Sequence, residues 1–216
     1  MFEPEVKAVR VSLCNLWAEL HLKRSQDFCQ EALVWRQLHH PNVLPFLGVN
    51  KTLFAPRYCL IAPWMENGNI MSYLQVHPDH NRYTSLVQVT EEMKYLHNLD
   101  PPIVHADIRG ANILVTDDLH CCLADFGLSL FAGSQTLDSS SRGSIHWLAP
   151  EYMDPDLFDR SYSTARDIYA YGCTIVEIFT GKSPFSDIKH DVIIMRKVIT
   201  GNRPSKPSSK VLPDKL

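Results

Sequence analysis

Three short polar stretches constrain what this chain can fold into. They are His105-Ala106-Asp107-Ile108-Arg109-Gly110-Ala111-Asn112, then Asp125-Phe126-Gly127 beginning eighteen positions after Asp107, then Ala149-Pro150-Glu151. Alone, each reads as an ordinary loop or turn. In this order and spacing they supply a carboxylate that can take a hydroxyl proton, an amide oxygen that can hold a metal ion, and a second carboxylate that can hold a metal on phosphate. Such a set works only if stretches distant along the chain meet in one crevice, so the fold has to bring them together.

The surrounding pattern predicts which elements do this. Residues 5–11 read as a strand and 27–38 as a helix, with Phe28, Ala32 and Trp35 along one face. His40-Pro41-Asn42 breaks that pattern, and residues 43–49 and 58–62 read as two further strands. After Met65-Glu66-Asn67-Gly68 the chain turns helical. Leu86, Val89, Met93 and Leu96, spaced three or four apart, form one buried stripe. Short strands are expected at 113–115 and 121–123, and a mobile Ser-rich stretch at 133–144. Residues 165–180, apolar nearly all round, predict a central buried helix stopped by Gly181. An amphipathic segment over 191–198 is followed by a Pro-, Ser- and Lys-rich tail expected to be disordered. A strand–helix–strand–strand order followed by mostly helix predicts an α+β fold, a small sheet-bearing part before a larger helical one.

Composition excludes several functions. The chain has 216 residues, 45% of them hydrophobic, enough for a real core, and its net charge of -3 comes without a basic stripe. Nucleic acid and anionic membranes are therefore not expected partners. The six cysteines lack metal-ligand spacing, and Cys121-Cys122 has no nearby thiol to complete a Cys-x-x-Cys pair, so free thiols of a reducing compartment are expected. The N-terminus has no secretory pattern, and the longest apolar stretch, 168–179, is too short to span a bilayer and contains Glu177. An intracellular, cytoplasmic location follows as the expectation. Gly181-Lys182-Ser183 imitates the end of a phosphate loop, but Val176 stands where the first glycine is required, and it ends a helix rather than opening one.

The three stretches together closely resemble the catalytic core of eukaryotic protein kinases, in particular the tyrosine-kinase-like serine/threonine group, including fungal members written His-Gly-Asp. The resemblance implies a bilobal fold: a partial kinase domain over 1–203, with an N-lobe remnant at 1–64 and a C-lobe at 65–203, followed by the tail 204–216. It implies ATP and Mg²⁺ as cofactors and a protein as substrate. By resemblance, Asp107 accepts or orients the substrate hydroxyl, Asn112 and Asp125 hold magnesium, and Arg109 offers positive charge to the transferring phosphate. Lys7 is the expected phosphate-gripping lysine, with Glu31 as its ion-pair partner; a competing register puts Arg10 in that place. Ala62 falls at the gatekeeper position, Pro63 offers adenine its carbonyl, Met65 offers an N–H and a carbonyl, and Asn69 joins the nucleotide site. Trp35, Phe46, His105 and Phe126 form an apolar stack tying the lobes together. Asp167 anchors the catalytic loop, and Ser144 occupies the position that steadies the catalytic Asp in Ser/Thr kinases.

The sequence also departs from that pattern. No Gly-x-Gly-x-x-Gly occurs, and the sequence begins at the expected Lys-bearing strand, so an incomplete N-lobe sheet without its Gly-rich hairpin is expected. It stops before the last C-lobe helices, which leaves Glu151 without its usual arginine. Ala106 replaces the arginine that clasps an activation-loop phosphate in many kinases, so phosphorylation at Ser139, Ser140 or Ser141 lacks its usual receiver. Two readings stay open at this point: a kinase transferring the ATP γ-phosphate to Ser/Thr of proteins, or an impaired pseudokinase-like interaction module or non-functional fragment.

Overall fold

Antiparallel strand pairing builds the smaller lobe. β1 (Val9–Cys14) runs antiparallel to β3 (Arg57–Pro63), from Val9 opposite Pro63 to Cys14 opposite Tyr58. β2 (Gly48–Phe54) lines the other edge of β3, giving the order β1-β3-β2. The computed structural model describes residues 9–14, 21–54, 57–131, 144–154 and 164–207, with only the backbone for β1 and for residues 21–27, 53–54, 57 and 130–131. Leu60 and Ala62, two apart on β3, share one sheet face. They pack there with Val34 and Trp35 of α1 (His21–Arg36) and with Phe126.

Two of the expected strands are displaced. The one expected over 5–11 is seen at Val9–Cys14, because its position is set by the ladder with β3; residues 1–8 lie outside the described residues. The strand expected over 43–49 begins only at Gly48. Pro45 has no N–H for a ladder. Instead Val43 forms an isolated parallel bridge with Leu123, and the Leu44 N–H donates to the Leu123 carbonyl at 3.0 Å. That bridge fastens the segment after α1 to the helical lobe. α1 itself starts six residues before the expected 27–38.

The helical lobe follows the sequence more closely. α2 (Ile70–Val76) is capped by Asn69, whose side chain accepts the Ser72 N–H at 3.0 Å. In α3 (Arg82–His97) the stripe Leu86, Val89, Met93 and Leu96 is buried as expected. β4 (Ile103–Val104) pairs with β7 (Leu130–Phe131), and β5 (Ile113–Val115) with β6 (Cys121–Leu123). α4 (Ala165–Thr180) ends on Gly181 at φ 69°, a left-handed cap that glycine takes without steric cost. α5 (Asp191–Ile199) completes the described elements. The structure corrects the expectation for α4: Ile168 is 57% exposed, while Arg166, Asp167, Thr174 and Glu177 are buried. Among the described residues no helix is long and apolar enough to cross a membrane. The described cysteines, Cys29, Cys59, Cys121, Cys122 and Cys173, are free thiols. Residues 204–207 have no regular structure, and both the stretch 132–143 and residues 208–216 lie outside the described residues.

Glu92 on α3 is wholly buried, with Oε2 accepting the Leu123 N–H at 2.8 Å. Burial pushes its carboxyl well above the usual range, against the pull of that N–H. The folded value exceeds the unfolded one, so the stability it contributes is fully present below the unfolded pKa and is lost as pH rises through the folded pKa. Glu92→Gln is expected to flatten the fall in melting temperature as pH rises from the ordinary carboxylate range, read by thermal melts across pH; an unchanged slope would count against this assignment.

Candidate active site

The loop 105–112 has little regular structure of its own, and α4 holds it by its backbone. Asp167 Oδ2 accepts the His105 N–H and Oδ1 accepts the Ala106 N–H, both at 2.8 Å. Arg166 Nη2 donates to the Ala106 carbonyl at 3.0 Å. Thr174 Oγ1 lies 3.1 Å from the Ile108 carbonyl, and Glu177 Oε2 accepts the Gly110 N–H at 2.8 Å. Asp167 also receives His97 Nε2 from the end of α3 at 2.8 Å. The anchoring expected of Asp167 is therefore present. Arg166, Thr174, Glu177 and His97 were not anticipated from the sequence. Their signal was there: 167, 174 and 177 are polar residues at helical spacing in an otherwise apolar helix.

Gly110 fits tightly into this clasp. A Cβ at this position would lie 2.5 Å from Met71 Cγ and 3.0 Å from Glu177 Oε2. Gly110→Ala is expected to cost ~1–3 kcal/mol through overpacking, measured by urea unfolding; no loss would mean that Met71 yields freely.

The loop places its polar side chains together. Asn112 Nδ2 donates to the Asp107 carbonyl at 2.9 Å and to Asp107 Oδ2 at 2.8 Å. Arg109 Nε stands 3.4 Å from the same Oδ2, and the guanidinium lies 5.9 Å from the centre of the Trp147 ring. The Asn112 carbonyl in turn accepts the Ala124 N–H at 2.9 Å, which fixes the backbone just before Asp125. Asp125 adopts φ 73°. A Cβ on Gly127 would sit 3.3 Å from Glu31 Oε2 and 3.4 Å from Asp125 Oδ1, so the α1 carboxylate and the Asp125 carboxylate border one small space. Glu31 and Asp125 thus meet although 94 positions separate them, and the Asn112–Ala124 bond ties the loop bearing Asp107 and Asn112 to the backbone beside Asp125.

The apolar stack forms as expected. Ring centres lie 5.3 Å apart for Phe46–Trp35, 5.9 Å for Trp35–Phe126 and 5.0 Å for Phe126–His105. Each such aromatic pair contributes ~0.5–1.5 kcal/mol beyond its area burial. Trp35 Nε1 also donates to the Leu44 carbonyl at 2.6 Å. His105 Nδ1 accepts the Asp107 N–H at 3.3 Å, which puts the ring proton on Nε2. Burial holds the imidazole below its usual pKa, against the pull of Asp167, Asp107 and Asp125. The stack therefore meets the loop through a neutral ring.

On the sheet side Ala62 is fully buried, and Pro63 ends β3. The Met65 carbonyl accepts the Gly68 N–H at 2.9 Å, so one of its two lone pairs is committed to the turn. Asn69 uses its Oδ1 to cap α2. Arg10 stands directly opposite Ala62 in the β1–β3 ladder, whereas Lys7 lies outside the described residues. Ser144 leads into the turn Ile145–Trp147, and Glu151 lies half-buried in the turn Pro150–Tyr152.

The family described as protein tyrosine and serine/threonine kinase matches residues 3–213. Receptor-interacting serine/threonine-protein kinase 2 of Bos taurus is 32% identical over 209 residues, which are 91% of this chain and 38% of that protein. Receptor-interacting serine/threonine-protein kinase 3 of Rattus norvegicus is 31% identical over 215 residues, 93% of this chain and 43% of that protein. The serine/threonine-protein kinase TNNI3K of Homo sapiens is 32% identical over 169 residues, 75% of this chain and 20% of that protein. The chain spans less than half the length of each of these relatives. With the clasped loop 105–112, the neighbouring Glu31 and Asp125 carboxylates and the aromatic stack, these matches establish that the chain belongs to the protein tyrosine and serine/threonine kinase family.

Proposed function

We propose that this domain transfers the γ-phosphoryl group of ATP to Ser or Thr hydroxyls of proteins. The observation that supports the reading is the link Asp107–Asn112–Ala124, which ties a carboxylate and an amide to the backbone directly before Asp125. Phosphoryl transfer asks little covalent chemistry of a protein; it asks for positioning and charge neutralisation. Asp107 receives the proton of the attacking hydroxyl. Asn112 spends its Nδ2 on Asp107, and its other amide atom is a hard oxygen donor. Together with Asp125 it fits magnesium, which favours oxygen ligands shared with substrate phosphates. Bound there, that ion would neutralise phosphate charge. Arg109, held between Asp107 and Trp147, supplies a further cation at the loop. Ala62 and the turn after Pro63 receive adenine, with the Met65 N–H as a donor and the Asn69 amide at the mouth.

Lys7 and Arg10 remain the two candidates for the phosphate grip, and the ladder favours Arg10, which faces Ala62 across the strand pair. Its planar fork differs from a lysine's point charge. Thermal melts with and without Mg-ATP separate the two, because a ligand that binds the folded state alone raises stability by mass action. Arg10→Ala is expected to remove the nucleotide-induced shift and Lys7→Ala to keep it. The opposite pattern would restore Lys7, and no shift in the unaltered protein would count against the kinase reading itself.

A further inference from the structure

Ala106 immediately precedes Asp107 and holds φ at 70°. An L-residue is disfavoured in this left-handed region, and such a conformation persists only where its surroundings over-determine it. Here two consecutive α4 side chains do so. Asp167 takes the Ala106 N–H, and Arg166 donates to the Ala106 carbonyl at 3.0 Å. That carbonyl belongs to the peptide joining Ala106 to Asp107, so Arg166 holds the very plane from which the Asp107 side chain departs.

Arg166 is only 2% exposed, and its guanidinium carbon lies 4.5 Å from the centre of the Tyr152 ring. Burial works against its charge, while Asp167 and Asp107 favour it. Buried ion pairs are frequently no more stabilising than apolar groups of the same volume. An arginine at this point is therefore better accounted for by what it orients than by the packing it provides. Tyr152, from the turn after Ala149, thus packs its ring against the guanidinium.

We propose that Arg166 is a positioning residue for phosphoryl transfer: from inside α4 it fixes the Ala106–Asp107 peptide and so aims the Asp107 carboxylate. This supplies from the helix a cation beneath a loop whose own second position is alanine. The proposal rests on the reading of Asp107 given above, but its first measurement does not.

Arg166→Met keeps an unbranched apolar stem and removes the donor. In hydrogen exchange followed residue by residue, the amides of Ala106 and Asp107 are expected to exchange at least about tenfold faster, with protection in α3 and α5 unchanged. Unchanged exchange at 106 and 107 in the folded variant would overturn the proposal, and so would an equal loss of protection throughout the lobe. In steady-state assays kcat is expected to fall about tenfold or more with KM for ATP unaltered. Arg166→Lys, which still carries a donor for the Ala106 carbonyl, is expected to recover most of that loss. If kcat and KM change together, or if Lys behaves as Met does, Arg166 is a packing residue. Should Arg166→Met fail to fold, Arg166→Gln and Arg166→Lys compared with each other carry the same test. An unaltered protein without transferase activity would refute the function proposed above and leave the exchange result to decide the role of Arg166.

Discussion

Asp107→Asn is expected to abolish phosphoryl transfer while sparing the thermal shift caused by Mg-ATP. The side chain is 12% exposed and fixed by Asn112 Nδ2 at 2.8 Å, so an amide of the same shape can occupy the same place. What it loses is the ability to take a proton. A positioned general base contributes typically ~10²–10⁴-fold to rate, and a loss of that size in kcat is the expected outcome. In the proposed function nucleotide binding draws on Ala62, Met65, Asn112 and Asp125, none of which the substitution removes. Transfer to a mixed Ser/Thr peptide substrate, measured beside the melting shift, checks both halves. Unchanged kcat would remove Asp107 from the chemistry; a lost shift with lost activity would mean the loop had collapsed.

The second large effect is expected at Asp167. Its carboxylate accepts from His105 N–H, Ala106 N–H and His97 Nε2, and it lies fully buried beside Arg166. Asp167→Ala leaves two buried backbone N–H groups without an acceptor, at ~1–3 kcal/mol each. It also takes a nearby counter-charge from a buried guanidinium. Breaking a buried charged network in this way costs ~3–5 kcal/mol, or on the order of 10 °C in melting temperature for a domain of this size. Equilibrium unfolding in urea measures the first figure and thermal melts the second. Asp167→Asn is expected to fall between, because one oxygen remains while the amide nitrogen faces an N–H. A change below about 1 kcal/mol for Asp167→Ala, within the ordinary range of single substitutions, would show that the loop holds its shape without this anchor.

The sequence disclosed the site more fully than the sheet, and particular residues show why. Asp107 and Asn112 lie five apart in one loop, so their meeting is a local matter. Asp125 follows β6, a strand that pairs with the strand after Asn112, so short-range pairing brings it in. The α3 stripe was legible because a 3.6-residue repeat over four apolar residues leaves little choice of face. β1 was not, because its register is set by β3, about fifty residues further on, and nothing in residues 5–14 fixes which of them pair. Pro45 could have warned against a strand over 43–49, since it has no N–H to contribute. α4 misled for a different reason. Counting apolar residues predicted burial all round, whereas Arg166, Asp167, Thr174 and Glu177 are inside because loop backbone groups await them there. Residue type alone does not reveal such partners when they come from a segment some sixty positions away.

Five hydrogen bonds described from α4 to the segment 105–110 reach main-chain atoms: two amides from Asp167, one carbonyl each from Arg166 and Thr174, one amide from Glu177. Main-chain atoms are present whatever side chain a codon specifies. The working shape of this segment is thus largely decoupled from its spelling. Substitutions at Ala106, Arg109 or Ala111 can retune chemistry or regulation while the scaffold under them stays put, provided position 110 remains small.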